Sequence, residues 1–213
     1  MTKAAVFDLD GTLVDSREDL HLAVAHALRE LGLPPRTLEE VVGFVGEGAA
    51  RLVARAVAPR ADLREKAMAL WRAHYDEHLL DHTRLYPGVE ALLAGAGIPL
   101  AVHTNKPGPM ARRILEGLGV LDRFETVVGG DEAPRKPDPA GTLRILEQLG
   151  ARAQEAVFVG DSAVDLATAR AAEVPFVAVA WGFVPLRQLE AAGAVNVARA
   201  ARDLARWLGG TGG

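Results

Sequence analysis

The chain has 213 residues, 49% of them hydrophobic, and a formal net charge of −4. That length supports one sizeable core, or a core with a small satellite, and the acidic balance argues against non-specific nucleic-acid binding, which needs a basic face. With no cysteine, disulfides and thiolate metal sites are excluded; no charged start precedes an apolar stretch, and no apolar run approaches ~20 residues, so a cytoplasmic chain without a membrane span is expected.

Ala4-Ala5-Val6-Phe7 opens the chain as a short buried strand. Residues 15–83 carry no strand signal and read as helices only. Leu20, Val24, Ala27, Leu28 and Leu31 form one stripe at helical spacing, and Leu63, Ala67, Leu70, Trp71 and His74 form another. Beyond them, strand runs at Leu100-Ala101-Val102, Thr126-Val127-Val128, Ala156-Val157-Phe158-Val159 and Phe176-Val177-Ala178-Val179 alternate with helical patterns near 88–96, 108–118, 139–149 and 163–172. Such alternation predicts an α/β fold with a doubly wound, mostly parallel sheet. The helical block suggests a small all-helical cap domain over 15–83, inserted after the first strand of a catalytic core made of 1–14 and 84–213. Its hinges would lie near Val14-Asp15 and Leu80–Pro87. No internal repeat stands out, and the glycine-rich tail from Gly209 is expected to fray.

Four strands run into polar residues at their C-terminal ends. They lead to Asp8-Leu9-Asp10-Gly11-Thr12, to His103-Thr104-Asn105-Lys106, to Arg135-Lys136-Pro137-Asp138-Pro139, and to Gly160-Asp161-Ser162-Ala163-Val164-Asp165. Ligands of open α/β sheets bind outside the carboxyl ends of the strands, so these clusters should converge on one crevice. Asp8 and Asp10, two apart on an extended segment, point to the same side about 6–7 Å from each other. One carboxylate can then attack phosphorus while the other meets the leaving oxygen, and a carboxylate nucleophile yields an aspartyl-phosphate. Asp8, Asp10, Asp161 and Asp165 together would repel a phosphate dianion unless a cation sat among them. Carboxylates without His or Cys select a hard ion, and Mg²⁺ fits. Lys136 adds a fixed positive charge, and Thr104 and Asn105 add neutral donors for the phosphoryl oxygens.

The series Asp-x-Asp-Gly-Thr-Leu-Val-Asp-Ser, Thr-Asn-Lys, Lys-Pro-Asp-Pro and Gly-Asp-Ser-x-x-Asp resembles the haloacid dehalogenase superfamily in order and spacing over essentially the whole chain. The resemblance implies a Rossmann-like core, with Asp8 as nucleophile and Asp10 as general acid and then base. It implies that Thr104 binds phosphate and that Lys136 steadies the nucleophile and the phosphoryl group. Mg²⁺ would be held by Asp8, the backbone carbonyl of Asp10 and Asp161, with Asp165 standing behind these ligands. Within the superfamily, Asp15-Ser16-x-x-Asp19-Leu20, Phe44-Val45-Gly46-Glu47-Gly48-Ala49 and Pro134-Arg135-Lys136-Pro137-Asp138-Pro139 are most similar to phosphoglycolate phosphatases. Glu47 departs from that pattern where a neutral polar residue is expected, and Glu173 departs where glycine is expected.

Scarce residue types give support that is independent of the resemblance. The chain holds two serines, two asparagines and four lysines, and the four polar segments (8–16, 103–106, 135–139 and 160–165) make up 24 of its 213 residues, so about one of the eight should fall there by chance. Ser16, Asn105, Lys106, Lys136 and Ser162 all do.

Competing readings are weaker. A calcium loop starting at Asp8 would need its glycine sixth, but Gly11 is fourth. Gly46-x-Gly48 has Arg51 in the third glycine position and no strand before it, so it is no dinucleotide fingerprint. Val164 breaks a nucleophile elbow at Ser162. His74, His78 and His82 recur every four residues as zinc ligands could, yet a solvated helix face explains them better. Arg51 or Arg55 could clamp a substrate carboxylate, though solvated helical charges explain them better. A dehalogenase would not need Asp10 or Mg²⁺. A sugar-phosphate phosphatase or phosphoglucomutase-like enzyme would keep every motif, and a catalytically silent binding module would be expected to have lost one. The partner is thus a small phosphorylated metabolite rather than nucleic acid or membrane, and the oligomeric state is left open.

Overall fold

The computed structural model describes residues 2–209; of the tail expected to fray, residues 210–213 lie outside them. The chain divides into two compact units, one formed by residues 16–84 and the other by 1–15 with 85–213.

The unit of residues 16–84 is helical, with α1 (Arg17–Glu30), α2 (Leu38–Val42), α3 (Ala49–Ala56) and α4 (Arg64–Glu77). Leu20, Val24, Ala27 and Leu28 of α1 are buried, as are Ala67, Trp71 and Tyr75 of α4, and the two helices pack together. Each fully buried aliphatic side chain contributes about 1.5–3 kcal/mol, so this seam, not propensity, holds the helices. A capping box starts α2: Glu40 N–H donates to Thr37 Oγ1 and Thr37 N–H to the Glu40 carboxylate. Buried Asp19 accepts from the Thr83 hydroxyl at 2.7 Å and from the backbone N–H groups of His82 and Thr83, tying α1 to the end of the unit. Helix α4 stops at Glu77, so the four-residue histidine spacing does not continue along one helix face. Instead the His74 ring stacks between His26 at 4.5 Å and His78 at 4.4 Å.

The other unit carries the sheet. Its strands are β1 (Ala4–Phe7), β4 (Leu100–His103), β5 (Thr126–Val128), β6 (Ala156–Gly160), β7 (Phe176–Val179) and β8 (Val197–Ala198), while β2 (Val14–Asp15) and β3 (Arg84–Leu85) form a separate short pair where the chain passes between the units. The sheet order is β5-β4-β1-β6-β7-β8, with every neighbouring pair parallel. All residues of β1, β4, β6 and β7 are buried, which is why these runs, but for His103 at the end of β4, are apolar instead of alternating. The intervening helices are α5 (Val89–Ala94), α6 (Gly108–Gly117), α7 (Ala140–Gln148), α8 (Ala163–Ala171) and α9 (Leu186–Ala191). The chain builds outward from β1 to β4 and β5, then returns to β6 on the other flank of β1. Strand order therefore reverses beside β1, and a crevice opens at its C-terminal end.

Helix α8 ends in a Schellman motif: Glu173 N–H bonds the Arg170 carbonyl and Val174 N–H the Ala169 carbonyl. Glu173 sits in the left-handed region at φ 56°, the only described non-glycine residue with positive φ. A side chain there costs about 1 kcal/mol. Glu173→Gly should therefore raise stability by about 0.5–1 kcal/mol, read as a rise of a few degrees in Tm, with turnover unchanged; a fall in Tm would contradict it.

Candidate active site

The backbone delivers the polar clusters to one place. Asp8 N–H extends the β6 ladder by bonding the Val159 carbonyl at 2.9 Å, and Thr104 N–H extends the β5 ladder through the Val128 carbonyl at 3.0 Å. After Asp8 the chain folds back: the Leu9 carbonyl accepts from Leu13 and Val14, and Gly11 N–H bonds the Val14 carbonyl. Gly11 has φ +85°, and a Cβ there would collide with the Asp161 carboxylate, so both conformation and space require glycine.

Lys136, 4% exposed, stands between two carboxylates, with Nζ 2.7 Å from Asp8 Oδ1 and 2.7 Å from Asp165 Oδ1. The loop that brings it there is held by Asn105, whose Oδ1 accepts Lys136 N–H at 2.8 Å and whose Nδ2 donates to the Lys136 carbonyl at 3.0 Å. Asp165 divides its oxygens: Oδ1 takes Lys136, while Oδ2 accepts from the backbone N–H and hydroxyl of Ser162, the N-cap of α8. Asp161 is fixed from two other elements: Phe183 N–H donates to its Oδ2 at 2.7 Å, and the Thr12 hydroxyl approaches Oδ1 at 3.4 Å. Thr104 Oγ1 accepts Lys106 N–H at 3.1 Å. Asp10 lies 3.1 Å from Lys106 Nζ. All seven residues singled out at these strand ends thus belong to one network or directly adjoin it.

The electrostatics follow from crowding. Burial first, and then repulsion from Asp165, push the Asp8 carboxyl up to about 7 despite its ion pair with Lys136. Burial and the charges of Asp165 and Asp8 hold the Asp161 carboxyl well above the usual carboxylate range. Burial alone would lower the Lys136 ammonium, but Asp165 and Asp8 bind it and keep it above its ordinary value. One carboxylate oxygen each from Asp8, Asp161 and Asp165 lies within 4.8 Å of the others. Among the described residues this is the one such group of potential metal ligands, and the histidine stack is not another. An all-oxygen, strongly anionic donor set with unrelieved repulsion suits a hard divalent cation such as Mg²⁺.

Sequence reasoning missed two contributors. Lys106 was visible only as part of Thr-Asn-Lys; its pairing with Asp10 needs the turn after β4. The segment after β7 carries no charged side chain, so it gave no signal, yet it supplies the Phe183 N–H to Asp161. Here too glycine is required, since a Cβ on Gly182 would collide with Asp161. The same segment is pinned by Trp181 Nε1, which donates to the Thr12 carbonyl at 3.1 Å. Away from the site, Arg55 is engaged within the helical unit by Glu47 and by the Phe44 carbonyl.

Known proteins give a consistent picture. A phosphoglycolate phosphatase of Rhodospirillum rubrum is 45% identical, covering 98% of this chain and 92% of the relative. Another, of Chromobacterium violaceum, is 44% identical over 91% of this chain and 92% of its own length. Among solved structures, a predicted phosphoglycolate phosphatase of Haemophilus somnus superposes with a TM-score of 0.89 at 31% identity, covering 96% of this chain and 97% of that one. The family model for haloacid dehalogenase-like hydrolases matches residues 5–179, a span holding the sheet from β1 to β7 and every carboxylate and lysine of the network. The chain belongs to the haloacid dehalogenase-like hydrolase family, within which it is a phosphatase.

Proposed function

We propose that this phosphatase hydrolyses 2-phosphoglycolate with the help of Mg²⁺, through a phosphoryl group carried transiently on Asp8. The observation that carries the chemistry is Lys136 held between Asp8 and Asp165, with Asp161 alongside, at the point where strand order reverses. The names of the relatives support the substrate.

In this reading an Asp8 oxygen attacks phosphorus as the bond to the glycolate oxygen breaks, and Asp10 donates its proton to that oxygen. Asp10 then takes a proton from water; the water oxygen displaces Asp8 from phosphorus, phosphate leaves, and both aspartates return to their starting state. Mg²⁺, held by Asp8, the Asp10 carbonyl and Asp161, would supply the positive charge that lets a phosphate dianion approach these carboxylates. Lys136 orients Asp8 and offsets charge on the phosphoryl group, and the Thr104 hydroxyl is a donor for it. Asn105 has its amide engaged on both sides of the Lys136 peptide, so its part is to place Lys136. Asp165 has both oxygens occupied by Lys136 and Ser162 and acts behind the ligands. The helical unit 16–84, inserted after the first strand, is assigned the role of a cap that selects substrate and excludes water. A cytoplasmic location accords with the lack, among the described residues, of any helix long and apolar enough to cross a membrane.

A panel of phosphorylated metabolites ranked by kcat/KM tests the proposal. 2-Phosphoglycolate should lead hexose phosphates by at least about tenfold, a margin of one charge-assisted contact, and EDTA should suppress turnover until Mg²⁺ is restored. A sugar phosphate in first place, isomerised product in place of free phosphate, or indifference to EDTA would each defeat it.

A further inference from the structure

Lys106 has no place in the chemistry just described, yet the fold holds it firmly. It is 7% exposed, its N–H donates to Thr104 Oγ1, and its carbonyl accepts Gly130 N–H at 2.9 Å. The neighbouring turn is packed so closely that a Cβ on Gly130 would press on the Asn105 carbonyl. A buried ammonium is costly unless it is paired. It pairs with Asp10, with Nζ 3.1 Å from Oδ1, the two side chains 5% and 11% exposed. The cluster therefore contains two buried lysines with different assignments: Lys136 lies on Asp8 and Asp165, and Lys106 lies on Asp10.

That placement puts a positive charge on the side of the scissile bond where the alcohol departs. Asp10 must come within hydrogen-bond reach, about 2.7 Å, of the leaving oxygen to protonate it. An ammonium seated on the same carboxylate is then only a few ångströms from that oxygen. An anionic group one carbon away from the leaving oxygen falls in the same range. An ammonium has three donors, so a contact with Asp10 does not prevent a second one with a substrate anion.

We propose that Lys106 is a specificity-determining residue that binds a carboxylate on the carbon adjacent to the ester oxygen, and so selects phosphorylated α-hydroxy acids over other phosphomonoesters. This rests on the phosphoglycolate reading above and names the group that enforces it. The rigid backbone around Lys106 provides the fixed geometry that discrimination requires.

The test compares 2-phosphoglycolate with ethyl phosphate, which replaces the carboxylate by a methyl group, in the wild type and in Lys106→Met. A charge-assisted hydrogen bond corresponds to roughly a tenfold to hundredfold effect. The wild type should prefer 2-phosphoglycolate, and Lys106→Met should shrink that preference by about this factor, mainly through KM; Lys106→Arg should restore part of it. Partial misfolding lowers both rates alike and leaves the ratio intact, and Lys106→Gln gives the same readout should the methionine variant not fold. If a variant loses the same factor on both substrates, Lys106 serves Asp10 or the phosphoryl group and the inference fails while the phosphoglycolate reading stands. If the wild type shows no preference between the two esters, both fail.

Discussion

Asp8→Asn should abolish turnover, with kcat reduced by at least about a thousandfold, because the amide oxygen is a poor nucleophile and no other carboxylate occupies the end of β1. Asp10 follows two residues later and is paired with Lys106, so it is not positioned to substitute. Stability should change little. The Asp8 carboxyl is pushed up to about 7 by burial and by Asp165. In the cation-free protein its ionisation therefore works against folding: the stability it lends is fully present below the ordinary value near 3.8 and is lost as pH rises through about 7. At pH 8 a neutral isostere relieves burial and repulsion that together outweigh the ion pair with Lys136, so the fold is not weakened. The variant should thus be inactive and folded, with Tm within a few degrees of wild type in EDTA. Retained turnover at the wild-type rate would reject the covalent mechanism; collapse of the fold would reject this account of the repulsion.

Lys136→Met is expected to damage both properties. It removes the cation that Asp8 and Asp165 share, and Asp165 is fully buried, with its other oxygen committed to Ser162. Removing one partner of a buried ion pair costs about 3–5 kcal/mol, because the remaining charges have no water to turn to. Loss of a donor aimed at developing phosphoryl charge costs a further factor of about 10²–10³ in kcat. Chemical denaturation in EDTA, so that no bound cation masks the effect, should show the lower midpoint. A loss below about 1 kcal/mol would mean that the two 2.7 Å contacts do not persist in solution.

Much of the fold was legible because the sheet is buried on both faces. Val6, Phe7, Val157 and Phe158 sit in runs with no polar interruption, as strands of a parallel sheet covered by helices on both faces require. The two-residue strand β8 and the short helix α9 were not legible, since neither is long enough to express a period. At the site, the rule that ligands gather at strand C-termini brought out Asp8, Asp10, Thr104, Lys136 and Asp161. It could not assign partners. Nothing in Thr-Asn-Lys tells that Asn105 grips the Lys136 peptide while Lys106 turns to Asp10, because both pairings span loops distant in sequence. Backbone donors leave even less trace: Phe183 contributes its N–H, and any residue but proline could have done so. Glu173 is a different case. It marks a position where glycine was expected, and the left-handed backbone found there is the physical reason for that expectation.

The two margins of the sheet are both brief, three residues in β5 and two in β8. Outer strands expose unsatisfied main-chain groups on which a foreign strand can grow, and the hazard scales with how many rungs are offered. Here a visiting polypeptide finds only a rung or two on either flank before the ladder ends. So strongly apolar a centre can therefore be kept at high concentration with little risk of strand-by-strand aggregation.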